Sequence, residues 1–483
     1  MPQQRSGLPA GRPVAWDDRV RLWGDGSVVL GGAPWGVLRI AEAGRPFLRR
    51  LHAAGPAGLA ASPGVEQTLV DLLLARGVVH PVAVSDPARS VTAVEIVVPA
   101  YERPELLDAC LASLRQTAPG SRIIVVDDAS ASPRVAEVGR AHGATVLRHE
   151  VNRGPAAARN SGLREVDSPI VAFVDADCVA NEGWLTTLIP HFDDPRVSAV
   201  APRITPRTGR STLLARYEAT RSALDMGPRP ELVTHGAPLG FLPSAALAVR
   251  RSSLDDDPFD ERLRVGEDVD LVWRLVDSGA MVRYEPAAVV THEMRPEPLR
   301  WAGRIFDYGT SAAELDHRHP GRLAPARLSL LNVAAAALML AHRPLAGAGA
   351  LTAYAVNRIN KLRAASVDPR AATVVIGKGL KSDAESAGHL LRREWWPIGW
   401  LAVASSRRSR VGRAAAAAML VPLAHEWLTS RPRVDPPRYL LLRLIEDASY
   451  GSGVIAGAIR SLRPGVLLPR FRGYQNRGDQ KKP

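Results

Sequence analysis

The stretch FVDADCVAN puts two carboxylates, Asp175 and Asp177, one residue apart directly after the apolar run SPIVAF. Such a pair repels itself unless a cation or hydrogen-bond donors compensate. It is therefore either a capping turn or a metal site. A hard divalent cation bridging a diphosphate takes just such oxygen ligands and keeps several waters. Other candidates recur at the ends of apolar runs. PAYERPE offers Pro99, Tyr101 and Glu102, where the ring could stack on a nucleobase or simply pack. RIIVVDDAS ends in Asp127 and Asp128, followed by Ser130. One of these carboxylates could accept from the imide N–H of uracil, or the group could cap a helix. In HEVNRGPAAARNSG, Arg159 and Asn160 fall in the first turns of a helix. A helix start followed by Arg is a seat for a diphosphate, although a surface Arg reads the same way. GEDVDLVWRLVDSGA places Glu267 and Asp268 at a helix start, with Trp273 continuing into apolar packing. Acids there interact favourably with the helix dipole, and one facing a metal-diphosphate site could act as general base. YEPAAVVTHEM ends at His292, whose imidazole could complete a metal shell or orient a phosphate.

The elements that must hold these residues follow from the pattern. From Val94 onward, Val/Ile-rich runs alternate with helical stretches about a dozen residues long. That pattern predicts a parallel α/β sheet covered on both faces. Ligands of such sheets sit at the carboxyl ends of the strands, where Asp127, Asp128, Asp175 and Asp177 fall. Ahead of this core, residues 18–82 read as a hairpin, VRLWGDGSVVLGG, and two amphipathic helices, LRIAEAGRPFLRRLHAAG and VEQTLVDLLLARGVV. This is a small winged-helix-like module, preceded by a flexible 1–17 and followed by a Pro/Ser linker, Pro81 to Ser90. Beyond about Pro325 the chain is Ala- and Leu-rich, predicting a helical region from 301 to 470 and a disordered tail, 471–483. No apolar run there reaches the roughly 18 residues of a spanning helix. Buried helices are one reading; interfacial membrane helices, favoured by Arg407, Arg408, Arg410 and Arg413, are the other.

At 483 residues the chain is long enough for two or three domains. The net charge of +13 favours phosphate-bearing ligands, acidic lipid or nucleic acid without choosing among them. No zinc-finger spacing and no aromatic RNA-binding strand is visible, so nucleic acid is not expected as a partner. The two cysteines, Cys110 and Cys178, form neither a disulfide framework nor a thiolate zinc site. With no apolar leader in MPQQRSGLPAGRPVAWDD, a cytoplasmic protein is expected, peripheral on the inner face of the membrane if the C-terminal helices touch lipid.

The ordered series IVVPAYERPELL, IIVVDDAS, NRGPAAARNSGL, VAFVDADC and GEDVDLVWRL, spanning about residues 93–300, resembles the family 2 glycosyltransferases of the GT-A fold. The resemblance implies a Rossmann-like nucleotide-sugar core, a UDP-linked donor, a Mg²⁺ or Mn²⁺ ion and inversion at the anomeric carbon. Carried over position by position, Pro99, Tyr101, Glu102 and Asp128 would hold the uridine and Arg159 would approach the diphosphate. Asp175 would contact the sugar, Asp177 with His292 would bind the metal, and Asp268 would be the base. Asp127, Asn160, Glu267 and Trp273 would support them. Glu102 stands where many relatives carry Asn. Together with IEDASYGSGVIAGAIRSLRPGVLLPRF, the whole chain also resembles the glycosyltransferases of mycofactocin biosynthesis. That resemblance implies β-1,4-linked glucose added from UDP-glucose to a peptide-derived redox cofactor, with the front module similar to small peptide-recognition domains. The alternatives are a membrane-associated polysaccharide glycosyltransferase, of which only a partial RW (Arg300, Trp301) is present, and a sugar nucleotidyltransferase, whose Gly-rich triphosphate loop is missing.

Overall fold

The computed structural model describes residues 7–84, 93–207, 212–293, 297–364 and 368–472. The first six residues, most of the expected linker and the tail from 473 lie outside them. Two compact units divide the chain, Met1–Arg210 with Arg221–Met294 and Ser211–Thr220 with Arg295–Pro483. The boundary expected near 300 is thus crossed by a short insertion, 211–220, that belongs with the helical unit.

The first unit opens with β1 (Val14–Trp16), β2 (Arg21–Trp23), β3 (Val28–Gly31), β4 (Gly36–Arg39), α1 (Arg45–Ala54), α2 (Val65–Ala75) and β5 (Val79–Pro81). Within the stretch expected to be flexible, Leu8 and Val14 are buried and β1 pairs antiparallel with β5. The predicted first helix starts later than expected: Leu38 and Arg39 belong to β4, the edge of a three-stranded antiparallel sheet, Glu42–Gly44 form a short 3-10 turn, and the helix starts only where Pro46 can occupy its first turn. The module is tied to the core by Arg196 with Asp71 at 2.8 Å, by Arg12 with the Pro190 carbonyl at 2.5 Å, and by Arg19 with Glu231 at 2.5 Å.

The core continues as β6 (Val94–Ala100), α3 (Pro104–Thr117), β7 (Ile123–Asp127), α4 (Arg134–Ala141), β8 (Thr145–Arg148), α5 (Pro155–Leu163) and β9 (Ile170–Val174). Strands β9, β6, β7 and β8 lie side by side and parallel. Successive side chains alternate between faces: Ile96, Val98, Ile123 and Val125 join one apolar core with Leu107 and Leu111 of α3, while Val97, Ile124 and Val126 join another with Ala158 and Leu163 of α5. That double burial is why these runs read as continuously apolar.

The second half runs β10 (Cys178–Ala180), α6 (Trp184–Leu188), β11 (Val197–Pro206), α7 (Leu213–Glu218), β12 (Glu231–Val233), β13 (Ala246–Arg250), α8 (Glu267–Asp277) and β14 (Met281–His292). It departs from the all-parallel expectation. The sheet order is β10-β14-β11-β13-β9-β6-β7-β8, with β13 antiparallel to both neighbours and β10 and β12 antiparallel to β14. Because β14 is parallel to β11, and β11 to β9 through the reversed β13, the carboxyl ends of β6, β7, β9 and β14 share one sheet edge. The N-terminal module meets the sheet near Glu231, opposite Tyr284, toward the start of β14 and away from His292.

The second unit holds α7 with α9 (Pro298–Thr310), α10 (Ala312–Arg318), β15 (Arg327–Ser329), α11 (Leu330–Leu340), α12 (Pro344–Ala364), α13 (Pro369–Arg392), α14 (Trp396–Ala404), α15 (Arg410–Ser430), α16 (Pro436–Ser461) and β16 (Arg470–Arg472). Helices α9 and α16 approach backbone to backbone. A Cβ on Gly453 would stand 2.0 Å from the Phe306 carbonyl oxygen, and one on Gly309 would stand 2.2 Å from that of Tyr450. Gly453→Ala is therefore expected to destabilise the unit by about 1–3 kcal/mol through overpacking. Gly349→Ala, inside α12 with nothing within 4 Å, is expected to stabilise it slightly by helix propensity. Denaturant melts of the two variants check the sign at each site.

Candidate active site

The DAD turn is built by strand reversal. After β9, the Asp175 N–H donates to the Ala245 carbonyl at 2.9 Å and the Cys178 N–H donates to the Asp175 carbonyl at 3.0 Å. Strand β10 then runs back along β14 with Cys178 opposite His292. This brings Asp177 Oδ2 to 3.3 Å from His292 Nε2, both side chains about one-fifth exposed. Residues 115 positions apart in sequence thereby form an adjacent oxygen and nitrogen donor pair. Among the described residues no three His, Cys, Asp or Glu side chains gather as a metal cage. The pair suits Mg²⁺ or Mn²⁺ held by two protein groups, with phosphate oxygens and water completing the shell. Both cysteines are buried beside it, and burial pushes their thiols well up.

Arg159, expected near the diphosphate, is 3% exposed and both terminal nitrogens are engaged by protein carboxylates. Nη1 donates to Glu267 Oε1 at 2.8 Å and Nη2 donates to Asp175 Oδ1 at 2.6 Å, while the guanidinium lies over the Phe259 ring at 5.5 Å. One side chain thus ties the DAD turn to the start of α8. Burial pushes the Glu267 carboxyl up to about 7, with the Asp268 charge adding to it and Arg159 opposing it. Burial likewise raises Asp175, helped by Asp177 and opposed by Arg159. Next along α5, Asn160 pairs with the Phe259 backbone, donating to its carbonyl at 2.8 Å and accepting from its N–H at 3.0 Å. That clamp holds the loop beneath Arg159.

Asp268 is half-buried at the N-terminal end of α8. Its Oδ1 accepts from the Val269 N–H at 2.8 Å and its Oδ2 from the Ser244 N–H at 3.1 Å. Trp273 Nε1 donates to the Gly240 carbonyl at 2.8 Å, steadying the loop that carries Ser244. Ser244 was not visible as a participant in the sequence, since it acts through its backbone.

At the neighbouring strand ends, Tyr101 stands 55% exposed just past β6, which carries Pro99. Glu102 has a left-handed backbone (φ 56°); its N–H donates to Ser130 Oγ at 2.9 Å and its carboxylate accepts from the Ala131 N–H at 2.9 Å. Asp128, expected at the uridine, also organises the loop before α5. Its Oδ1 accepts from the Arg153 N–H at 2.9 Å and meets His149 Nδ1 at 2.7 Å, and its Oδ2 accepts from the Gly154 N–H at 2.8 Å. Asp127 accepts from the Ser130 N–H at 3.0 Å and pairs with Arg148 at 3.2 Å. Neither aspartate caps α4, whose N-cap is Pro133; Asp127 closes its own turn and Asp128 bridges to the loop before α5. His149 and Arg148 went unnoticed in the sequence, where a His or Arg after a strand carries no signal.

Removing Arg159 leaves two carboxylates facing a buried gap. Arg159→Ala is expected to lose about 3–5 kcal/mol of stability, and Arg159→Lys, with no fork to span both partners, part of it. Chemical denaturation measures both; an unaltered midpoint for Arg159→Ala would remove the tie as a structural element.

The profile of the family described as Glycosyl transferase family 2 matches residues 95–256, which hold the DAD turn and Arg159. The chain is 38% identical over 484 residues to the pre-mycofactocin glycosyltransferase of Mycobacterium tuberculosis, covering 96% of this chain and 99% of that protein. It is 26% identical over 215 residues to glycosyltransferase AglE of Haloferax volcanii, covering 42% of this chain and 67% of the relative. Among solved structures, the mannosyltransferase PcManGT of Pyrobaculum calidifontis, in complex with GDP-Man and Mn²⁺, aligns over 70% of this chain and 89% of its own at 18% identity and a TM-score of 0.37, a likeness too loose to transfer residue roles. With its GT-A α/β core, the chain belongs to the pre-mycofactocin glycosyltransferase family within glycosyl transferase family 2.

Proposed function

We propose that this glycosyltransferase moves a hexose, glucose in the first instance, from a UDP-sugar to a hydroxyl of a peptide-derived cofactor precursor, with inversion at the sugar carbon and extension through β-1,4 links. The observation that carries the reading is the junction at one sheet edge. The Asp177–His292 donor pair, the Arg159-held Asp175 and the Glu267–Asp268 helix start are built by three adjoining connections. The name of the 38% identical relative supports the acceptor class.

In this reading Tyr101 stacks on the uracil. Asp175, with Oδ1 fixed by Arg159, presents Oδ2 to a sugar hydroxyl. Asp177 and His292 would hold the divalent ion, which when bound offsets the charge that builds on the departing diphosphate. Asp268 is oriented by two backbone N–H groups, and each carboxylate oxygen retains acceptor capacity beyond them. It takes the proton of the acceptor hydroxyl as that oxygen bonds to sugar C1 and the C1–O bond to the diphosphate breaks. In-line displacement turns an α-linked donor into a β-linked product, and holding both reactants in place supplies much of the rate. The N-terminal module meets the sheet at the far end of β14, so we assign it a distal part of the acceptor rather than the reacting hydroxyl. A membrane-embedded synthase asks for several spanning helices, and no helix among the described residues is long and apolar enough to cross a membrane.

Incubation with a panel of UDP-sugars, with and without the peptide-derived acceptor, is expected to release UDP; free diphosphate from a triphosphate and a sugar phosphate would instead identify a nucleotidyltransferase. Asp268→Asn is expected to lower turnover by about 10²- to 10⁴-fold while calorimetry finds UDP-sugar affinity nearly unchanged. Normal turnover would remove Asp268 as the base. For Asp177→Ala the expected loss is the Mn²⁺-dependent part of donor affinity, and identical affinities with and without Mn²⁺ in the unsubstituted enzyme would contradict the metal assignment.

A further inference from the structure

The positive charge of the chain is concentrated in one unit. Residues 295–483 carry 30 Lys and Arg against 13 Asp and Glu, whereas residues 1–294 carry 32 against 36. Within the basic unit, the stretches 317–367 and 395–425 contain no acidic residue at all. The first of them includes α11 and α12; the second includes α14 and the first three-quarters of α15.

These stretches also expose apolar side chains that the unit does not use. Helix α11, LLNVAAAALML, buries only Asn332 and Ala335, and α14, WPIGWLAVA, buries only Gly399. Helices apolar on all sides are normally enclosed by a protein core or by lipid. Here Leu345 is 89% exposed, Leu401 72% and Val411 55%, with Met339 and Trp400 also open. Arg410 Nη1 lies 3.2 Å from His342 Nδ1, so the α11–α12 turn, with Arg343 and Leu345, adjoins the start of α15. A Cβ on Gly412 would stand 2.5 Å from the Ala402 carbonyl oxygen, which brings α14 to the same end. Arg407, Arg408 and Arg413 flank that junction, all exposed.

We propose that this end of the helical unit is a docking surface for an anionic lipid bilayer. The exposed leucines, Met339 and Trp400 enter the headgroup and upper acyl region, and the guanidinium groups pair with lipid phosphates. The Arg stems lie along the apolar surface while their heads stay in the wet layer. An acidic protein or nucleic acid would satisfy the charge and leave the apolar helices in water; a second copy of this chain would bring the same positive charge against itself. A bilayer with anionic headgroups satisfies both features at once. None of the described helices crosses it, so attachment is peripheral and sensitive to salt. The proposal holds independently of the glycosyl-transfer reading.

The test is co-sedimentation of the full chain with vesicles of phosphatidylcholine alone and of phosphatidylcholine with one-third phosphatidylglycerol. Binding is expected to the anionic vesicles, weakened by raised salt, and reduced roughly tenfold or more by Arg407→Glu with Arg408→Glu. Leu345→Ser with Leu401→Ser is expected to weaken it as well, with unchanged melting temperatures showing that both double variants are folded. Equal partition into the two vesicle types, absence of binding to either, or full binding by both folded variants would overturn the proposal. So would concentration-dependent self-association abolished by the leucine pair, or preferential binding of the chain to a DNA duplex added in competition with the vesicles.

Discussion

Arg159 is the residue on which the site's geometry depends. Its guanidinium is a rigid fork, and its two prongs end on carboxylates from different motifs, Asp175 of the DAD turn and Glu267 of α8. Without that cation, Asp175, Asp177, Glu267 and Asp268 would crowd negative charge onto one sheet edge with no fixed counterweight. Burial makes the arrangement firm, since the guanidinium and Glu267 have little access to water, while Asp175 stays partly open. The Asn160 clamp and the Phe259 ring beneath it keep the fork in place.

The sheet supplies the rest. Two chain reversals and one long parallel strand gather residues from across the sequence: the DAD turn into β10, the antiparallel return of β13, and β14, which ends at His292. The register of β10 on β14, with Cys178 opposite His292, sets Asp177 beside that imidazole, and a slip of one residue would turn His292 to the other face. The helical unit works by different means, with helices meeting through glycines and ionic groups enclosed between them. Asp447 illustrates this. Burial alone would raise its carboxyl, yet Arg443 and Arg392 hold it at about 2.

Much of this was legible in the sequence because it was local. Continuously apolar strand runs, helix starts marked by Pro104 and Pro155, and acids at strand ends all announce themselves within a dozen residues. What escaped was non-local. The antiparallel strands of the second half look like any other apolar run, and Leu38 and Arg39, the end of β4, were absorbed into the pattern of the helix that follows. Among site residues, types and neighbourhoods were readable but protein partners were not: nothing in the sequence announced that Arg159 bonds Asp175 or that Asp128 bonds the Gly154 N–H. Only the fold reveals that Asp128 faces the N–H groups of Arg153 and Gly154, or that Ser244 lends its backbone to Asp268.

The central claim is an in-line displacement assisted by Asp268 at the edge organised by Arg159. It is tested most directly by the anomeric configuration of the first product formed from a UDP-α-sugar, read from the coupling of the anomeric proton before any further turnover. The account predicts a β-linked product together with one equivalent of UDP. An α-linked product would contradict it, because attack on C1 in line with the departing diphosphate inverts the anomeric carbon.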